Sequence, residues 1–506
     1  MPVGSGRADP GRFGELAHTD RGRATGARGV QPVADQGLGQ VAVVVGALAH
    51  RRQPSCVDSV NIGGMLTPST QYWGTSAMKK ALILDGSSAG DATGERVARA
   101  LASALAARGV EAEVVTLREC RIGACAGDFG CWLKHPGVCM TEDDNRRLTA
   151  AVINSDLVAY LGPITFGGWA PQLKRLIDHQ IQNISPLFLR VDGETHHRKR
   201  YPRYPDLLAV GWQDGPNPGE AATFTRLVAR NAINFHASAS VAALIDADDH
   251  NFATEEWLDA LERGERVRVS GSLVPPGVAG VAPERAVLLV GSPRLRSSSS
   301  YALGRHLLDR LEAAGIQTSA VMMHPAARSA GRTAALIEQV DAADLVLLAA
   351  PLYVDGLPAP ALEVMASLQR HSQAHARRKR LAAIVNSGFP EAAQNHTALA
   401  IAAHFADRSG WEWAGGLAIG GGEGLIHGVA PSQAGGRARP VVAALDVSAA
   451  ALADGKAIPA QAVDLAARSV IPAWLYRAVG TLGWRSQARA NGAASDLAAQ
   501  PYLASH

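Results

Sequence analysis

The chain has 506 residues, room for two or three domains at roughly 150 residues each, and too long for a single small module. Apolar residues make up 47% and charged residues 19%, which argues for packed cores and against wholesale disorder. A net charge of +3, with only seven lysines among 49 cationic Lys and Arg, excludes a surface built for nucleic acid.

No apolar run approaches the roughly 18 residues that a membrane span needs. The early run over 41–49 follows 40 residues rich in Gly, Arg and Asp, unlike a leader, so a cytoplasmic protein without a membrane span is expected. Residues 1–77 show neither helical nor strand periodicity and are expected to be a disordered extension, with Met78 as the functional start.

From residue 81 the pattern is strand, Gly/Ser loop, helix. A buried strand over 81–84 leads through Asp85-Gly-Ser-Ser-Ala-Gly90 into a helix over 95–108, with Val97, Leu101 and Leu105 on one face and Gly109 at its end. Further strands are expected at 113–117, 157–161, 207–210 and 240–245, with helices at 143–154, 171–182 and 220–234. Short apolar strands alternating with helices predict a parallel sheet covered on both faces.

The plan then repeats. Ala81-Leu-Ile-Leu-Asp-Gly-Ser aligns with Ala286-Val-Leu-Leu-Val-Gly-Ser, and Ser155-Asp-Leu-Val-Ala-Tyr-Leu-Gly-Pro with Ala343-Asp-Leu-Val-Leu-Leu-Ala-Ala-Pro. The expected architecture is α/β, two tandem doubly wound domains, each a five-stranded parallel sheet with helices on both faces. The first spans 78–262, a linker 263–285, the second 286–428, and a tail with a terminal helix 429–506.

Such sheets bind ligands beyond the carboxyl ends of their strands. In the second half, Ser292, Arg294, Ser297, Ser298 and Ser299 lie between first strand and first helix, where hydroxyls, amides and a guanidinium can surround a phosphate. Pro351, Leu352, Tyr353, Val354, Asp355 and Gly356 follow the third strand, and Asn386, Ser387 and Gly388 the fourth; these loops can hold and cover a flat ring. The counterparts in the first half are Ser87, Ser88 and Thr93, then Pro163, Thr165, Phe166 and Gly167, then Gly211 and Trp212. There Asp91 stands in the loop without an Arg, which disfavours a phosphate. Three such loops suit flavin mononucleotide, FMN.

Gly291-Ser-Pro-Arg with its serines, and Pro351-Leu-Tyr-Val-Asp-Gly-Leu-Pro, resemble the phosphate and isoalloxazine loops of flavodoxin-like NADPH-dependent FMN reductases. Cys125-Ala-Gly-Asp-Phe-Gly-Cys-Trp132 with Pro136-Gly-Val-Cys139 resembles the related iron–sulfur flavoproteins and multimeric flavodoxins. The resemblance covers about 79–262 and 286–428. It implies FMN as cofactor, NAD(P)H as co-substrate, hydride transfer to the flavin and electron delivery to a small-molecule or protein acceptor. An electron carrier without its own NAD(P)H site is the alternative. The resemblance also implies a flavin at a subunit interface, which a tandem chain can supply internally, with homodimerisation of the chain left open. No acid or base is singled out as catalytic.

Cys120, Cys125, Cys131 and Cys139 lie within 20 residues. A [4Fe–4S] cluster, a zinc site and free thiols packing near Trp132 all stand as readings, the free thiols favoured because the spacing is wide. They are expected beside the first domain's flavin loops. His196-His-Arg-Lys-Arg200 reads as a solvated basic loop.

Overall fold

The computed structural model describes residues 78–503 apart from 376, 427 and 470, so the expected extension over 1–77 lies outside the described residues. All described residues belong to one compact unit.

The first half builds β1 (Lys80–Asp85), α1 (Thr93–Ala107), β2 (Glu111–Thr116), α2 (Asp144–Ile153), β3 (Leu157–Pro163), α3 (Pro171–His179), β4 (Ile184–Val191), β5 (Glu194–Lys199), β6 (Asp206–Gln213), α4 (Pro218–Asn234), β7 (Ser240–Asp246) and α5 (Thr254–Glu262). Strands β1, β2, β3, β6 and β7 form one parallel sheet in the order β2-β1-β3-β6-β7. Its central strands are buried along nearly their whole length because helices cover both faces.

The second half repeats this with β8 (Arg285–Val290), α6 (Ser299–Ala313), β9 (Gln317–Met322), α7 (Ala330–Asp341), β10 (Leu345–Pro351), α8 (Ala359–Ala374), β11 (Arg380–Asn386), α9 (His396–Arg408) and β12 (Glu412–Ile419). The order, β9-β8-β10-β11-β12, is the same doubly wound order. Two tandem flavodoxin-like domains are thus present.

Two features depart from the sequence reading. The helix that completes the second sheet is α10 (Arg439–Ala453), followed by α11 (Ala460–Ala466), and both belong to the buried core with α6, so this domain's packing continues past residue 428. Its Ala-rich face offered too weak a periodicity to separate it from a tail. The basic run 196–200 is not a solvated loop. It belongs to the antiparallel hairpin β4-β5, where His196 and Arg200 are buried while Arg198 and Lys199 stay exposed. The terminal helix α12 (Ala473–Ala490) lies on β4 of the first domain.

The domains meet through equivalent elements, α3 with α8 and α4 with α9. Each inserts the tip of its third-strand loop into the other. Phe166 joins the second domain's core and meets Phe405 edge-on with centroids 5.4 Å apart, while Val354 packs against the first domain's core. Both tips have left-handed backbone, φ 54° at Phe166 and 41° at Val354. Arg175 makes a two-pronged ion pair with Glu363 (2.6 and 2.7 Å), and Arg408 pairs with buried Glu220 at 2.6 Å. The repeat therefore docks on itself with approximate two-fold correspondence, as a homodimer would.

Candidate active site

One cavity of about 300 Å³ opens at the carboxyl edge of the second sheet, a volume at the lower end for small-molecule sites. At its polar end stand Ser292, Arg294, Ser298, Ser299 and Ser300. Ser298 caps α6, accepting from the Tyr301 amide at 3.1 Å and donating to the Leu295 carbonyl at 2.6 Å. The first-turn amides of Ser299 and Ser300 lack intrahelical acceptors, as at any helix start, and offer an anion two donors. Ser300 donates to Asn386 Oδ1 at 2.7 Å, tying this cradle to the fourth-strand loop. Ser297 is exposed and turns away, donating to the Arg294 carbonyl, and does not line the cavity.

The flat-ring end is bounded by Pro351, Leu352 and Tyr353, and by Asn386, Ser387 and Gly388. Val354, Asp355 and Gly356 lie beneath this floor and support it. Asp355, at φ 61°, receives Arg230 Nε (3.1 Å), Asn231 Nδ2 (2.9 Å) and Asn234 Nδ2 (2.7 Å), all from α4 of the first domain. Lys174 of α3, ion-paired with buried Asp178, donates to the Tyr353 carbonyl at 2.9 Å. One domain thus fixes the other's ring loop.

In the first domain most of the corresponding residues are tied to other groups of the same domain. Asp85, where the second domain has Val290, turns its carboxylate into the cradle and accepts from the Ser87 amide at 2.9 Å; Arg118 pairs with it at 3.5 Å and donates to Ser87 Oγ at 3.1 Å. Asp91 accepts from the Thr93 amide (3.0 Å) and from Trp212 Nε1 (2.9 Å). Thr93 Oγ1 donates to the Ala247 carbonyl at 3.0 Å, and Ser88 is exposed. The Thr165–Gly168 turn after Pro163 closes on itself, Gly167 packs under Thr223, and Gly211 packs against Ile164 and Phe224. The Ser87 and Thr93 amides of this half serve two carboxylates, whereas the second half's hydroxyls, helix start and ring floor line an open cavity whose chemistry suits FMN.

Sequence reading missed several walls of the cavity. Glu423 receives Arg294 at 2.5 Å and Ser299 Oγ at 3.0 Å, so a carboxylate sits among the anion donors. Arg437 lies in the lining as well. The first domain contributes Gly127, Phe129 and Phe188, and α12 contributes Tyr476, Val479, Gly480, Trp484 and Gln487. The glycine run Gly420-Gly-Gly-Glu-Gly424 was the available signal for Glu423; nothing local marked the others.

The cysteine segment therefore adjoins the second domain's cavity, not the first domain's loops. A Cβ on Gly127 would overlap the Tyr353 hydroxyl, because the chain after β2 runs across to the partner domain. Among the described residues no three Cys, His, Asp or Glu side chains gather as a metal would require. Cys120 points to the Thr116 carbonyl at 3.8 Å, and Cys131 is buried beside Trp132 and Ile184. Cys139 Sγ lies 3.5 Å from His179 Nδ1, while His179 Nε2 lies 2.9 Å from the Gly123 carbonyl. Burial pushes the Cys139 thiol up, but His179 outweighs it and leaves it below the ordinary thiol value; His179 is raised in turn by Cys139 against its own burial. Burial drives Cys125 up to about 12 and Cys131 well above the ordinary value.

The fold is that of a tandem flavodoxin-like flavoprotein, with an open cavity at the carboxyl edge of its second sheet. The family model described as NADPH-dependent FMN reductase matches residues 79–192 and 285–406. The two matched stretches fall one in each flavodoxin-like domain, as expected of an NAD(P)H-dependent FMN oxidoreductase. No curated protein matches it. Solved structures similar to it include a flavone reductase (11% identity, TM-score 0.26, covering 34% of this chain and 63% of that one). Two others are an FMN-dependent NADH-azoreductase from Bacillus anthracis str. Ames Ancestor in complex with FMN (12%, 0.25, 33% and 99%) and an NAD(P)H:quinone oxidoreductase from Methanothermobacter marburgensis (15%, 0.25, 32% and 96%). At these values the likenesses carry no functional argument. Among the described residues no helix is long and apolar enough to cross a membrane.

Proposed function

We propose that the second domain holds the chain's FMN and that the enzyme passes electrons from NAD(P)H to a small-molecule acceptor, with the first domain acting as a structural partner. The observation that carries this is the contrast between the cradles. Arg294 and the serines of α6 face an open cavity, whereas Asp85 and Asp91 fill the equivalent place in the first domain.

Bound FMN supplies hydride acceptance and electron release, so the protein needs no titrating catalyst of its own. Its residues bind and orient. Ser292, Arg294, Ser298, Ser299 and Ser300 would hold the phosphate, with Arg294 and Ser299 transferring from Glu423. Leu352, Tyr353, Ser387 and Gly388 would flank the ring. Burial holds the Tyr353 hydroxyl well above its usual value, so it stays protonated and serves as a neutral donor. The Tyr353 carbonyl is already committed to Lys174, which fixes the loop before ligand arrives. The cytoplasm, where NAD(P)H is available and thiols stay reduced, is the compartment we assign.

Anaerobic addition of NADPH to the flavin-loaded protein tests this. Bleaching of the flavin without a separate reductase supports the reading; flavin that bleaches only with added reductase makes the chain an electron carrier.

A further inference from the structure

The side of the cavity facing the second domain's loops is walled by one face of α12, whose Tyr476, Val479, Gly480, Trp484 and Gln487 recur at three- and four-residue spacings. The helix is fastened along its length. Tyr476 donates to the Gly388 carbonyl at 2.5 Å, and Gly480 passes so close to Phe188 that a Cβ would overlap the ring. Beyond it, the carbonyls of Leu497 and Ala499 accept from Arg200 at 3.2 and 2.9 Å, and the Tyr502 hydroxyl donates to Gln182 at 2.8 Å. Trp484 meets Phe129 and Trp132 edge-on, each with centroids 5.4 Å apart, and Phe129 and Trp132 stack at 5.3 Å.

Among the described residues, the lining on this side, from the first domain and α12, contains no charged side chain. Arg294, Glu423 and Arg437 belong to the cradle and to the segment beside it. A wall of edge and face aromatics without charge suits a flat, uncharged ring better than a bulky or ionic one, and its fastenings hold it against the cavity.

We propose that Trp484 and Phe129 are specificity-determining residues that contact the electron acceptor, and that the chain's own C-terminal helix supplies the acceptor wall. This rests on the assignment of FMN to the second domain. The acceptor class is an uncharged planar ring compound, docked between α12 and the flavin floor.

The test compares wild type, W484A and W484F, each loaded with FMN, using 2,3-dimethyl-1,4-naphthoquinone, whose blocked ring positions avoid thiol addition. Equilibrium dialysis against the oxidised proteins, without NADPH, gives affinity; turnover gives the ratio of kcat/KM for this quinone to that for ferricyanide, which needs no ring contact. Loss of an aromatic contact should weaken binding and lower the ratio roughly three- to tenfold in W484A, with W484F restoring most of both. Unchanged affinity and ratio in FMN-loaded W484A would overturn the proposal while leaving the flavin assignment standing. So would a folded W484A, W484F or 1–472 truncation that loses FMN, since α12 would then be a flavin cover. Wild-type protein that takes up no FMN would instead remove the assignment beneath the proposal.

Discussion

Arg294 and Glu423 set the balance of the anion cradle. Each charge-assisted contact to a phosphate contributes about 1.5 to 3 kcal/mol, so Arg294→Ala should weaken FMN binding by roughly ten- to a hundredfold. Glu423→Gln should act oppositely, because it removes the negative charge that holds Arg294 and Ser299 without opening a void. Fluorescence titration of flavin into each variant measures both. The serines and Arg294 were legible because strand-to-helix loops of parallel sheets collect phosphate donors. For Glu423 the glycine run around it marked a loop but not its partner, since it meets Arg294 across 129 positions. Cys139 belongs to this scale too. Paired with His179 it should react with iodoacetamide faster at pH 7 than an ordinary thiol, and His179→Gln should move that reactivity to higher pH, read by mass spectrometry of the labelled peptide.

At the scale of elements, the ring loop depends on helix α4 of the other domain. Asp355→Ala would leave buried Arg230 with Glu194 as its remaining ion-pair partner and would strip Asn231 and Asn234 of an acceptor, and a fall in Tm is expected. The hairpin β4-β5 carries one of the chain's acid-sensitive groups. His197 lies among Trp132, Phe188 and Phe389, with centroids 4.6, 5.2 and 5.0 Å away, and burial pushes it down to about 3; nearby His236 falls to about 4 for the same reason. A histidine held neutral in the fold binds a proton more readily when unfolded. Its contribution is therefore complete above about pH 6.5 and lost as pH falls toward 3. Melting temperature should decline across that window, and less steeply in His197→Phe. The strands were readable from their unbroken apolar runs, such as Ala286 to Val290. The hairpin was not, because His-His-Arg-Lys-Arg has the composition of a solvated turn and becomes structural only through aromatic neighbours elsewhere in the chain. Helix α10 escaped for a related reason: alanines bury well but mark no stripe.

At the scale of the molecule, two repeats of one fold carry different residues at the same edge of their sheets. One repeat keeps an open cradle. The other has filled its own with Asp85 and Asp91 and supplies Arg230, Asn231, Asn234 and Lys174 to its neighbour's loop, together with Phe129 at its neighbour's cavity. The repeat itself was plain in the paired segments at 81 and 286, and Asp91 already distinguished the halves. That the cysteine segment crosses to the other domain was not, since strand order places it at a sheet edge without saying which ring loop faces that edge. The measurement that bears most directly on this account is the FMN stoichiometry of purified, flavin-saturated protein, taken for wild type and for Arg294→Ala with Ser298→Ala. One FMN per chain, with the double variant losing most of it, is the predicted result; two per chain, or full retention by the variant, would contradict it.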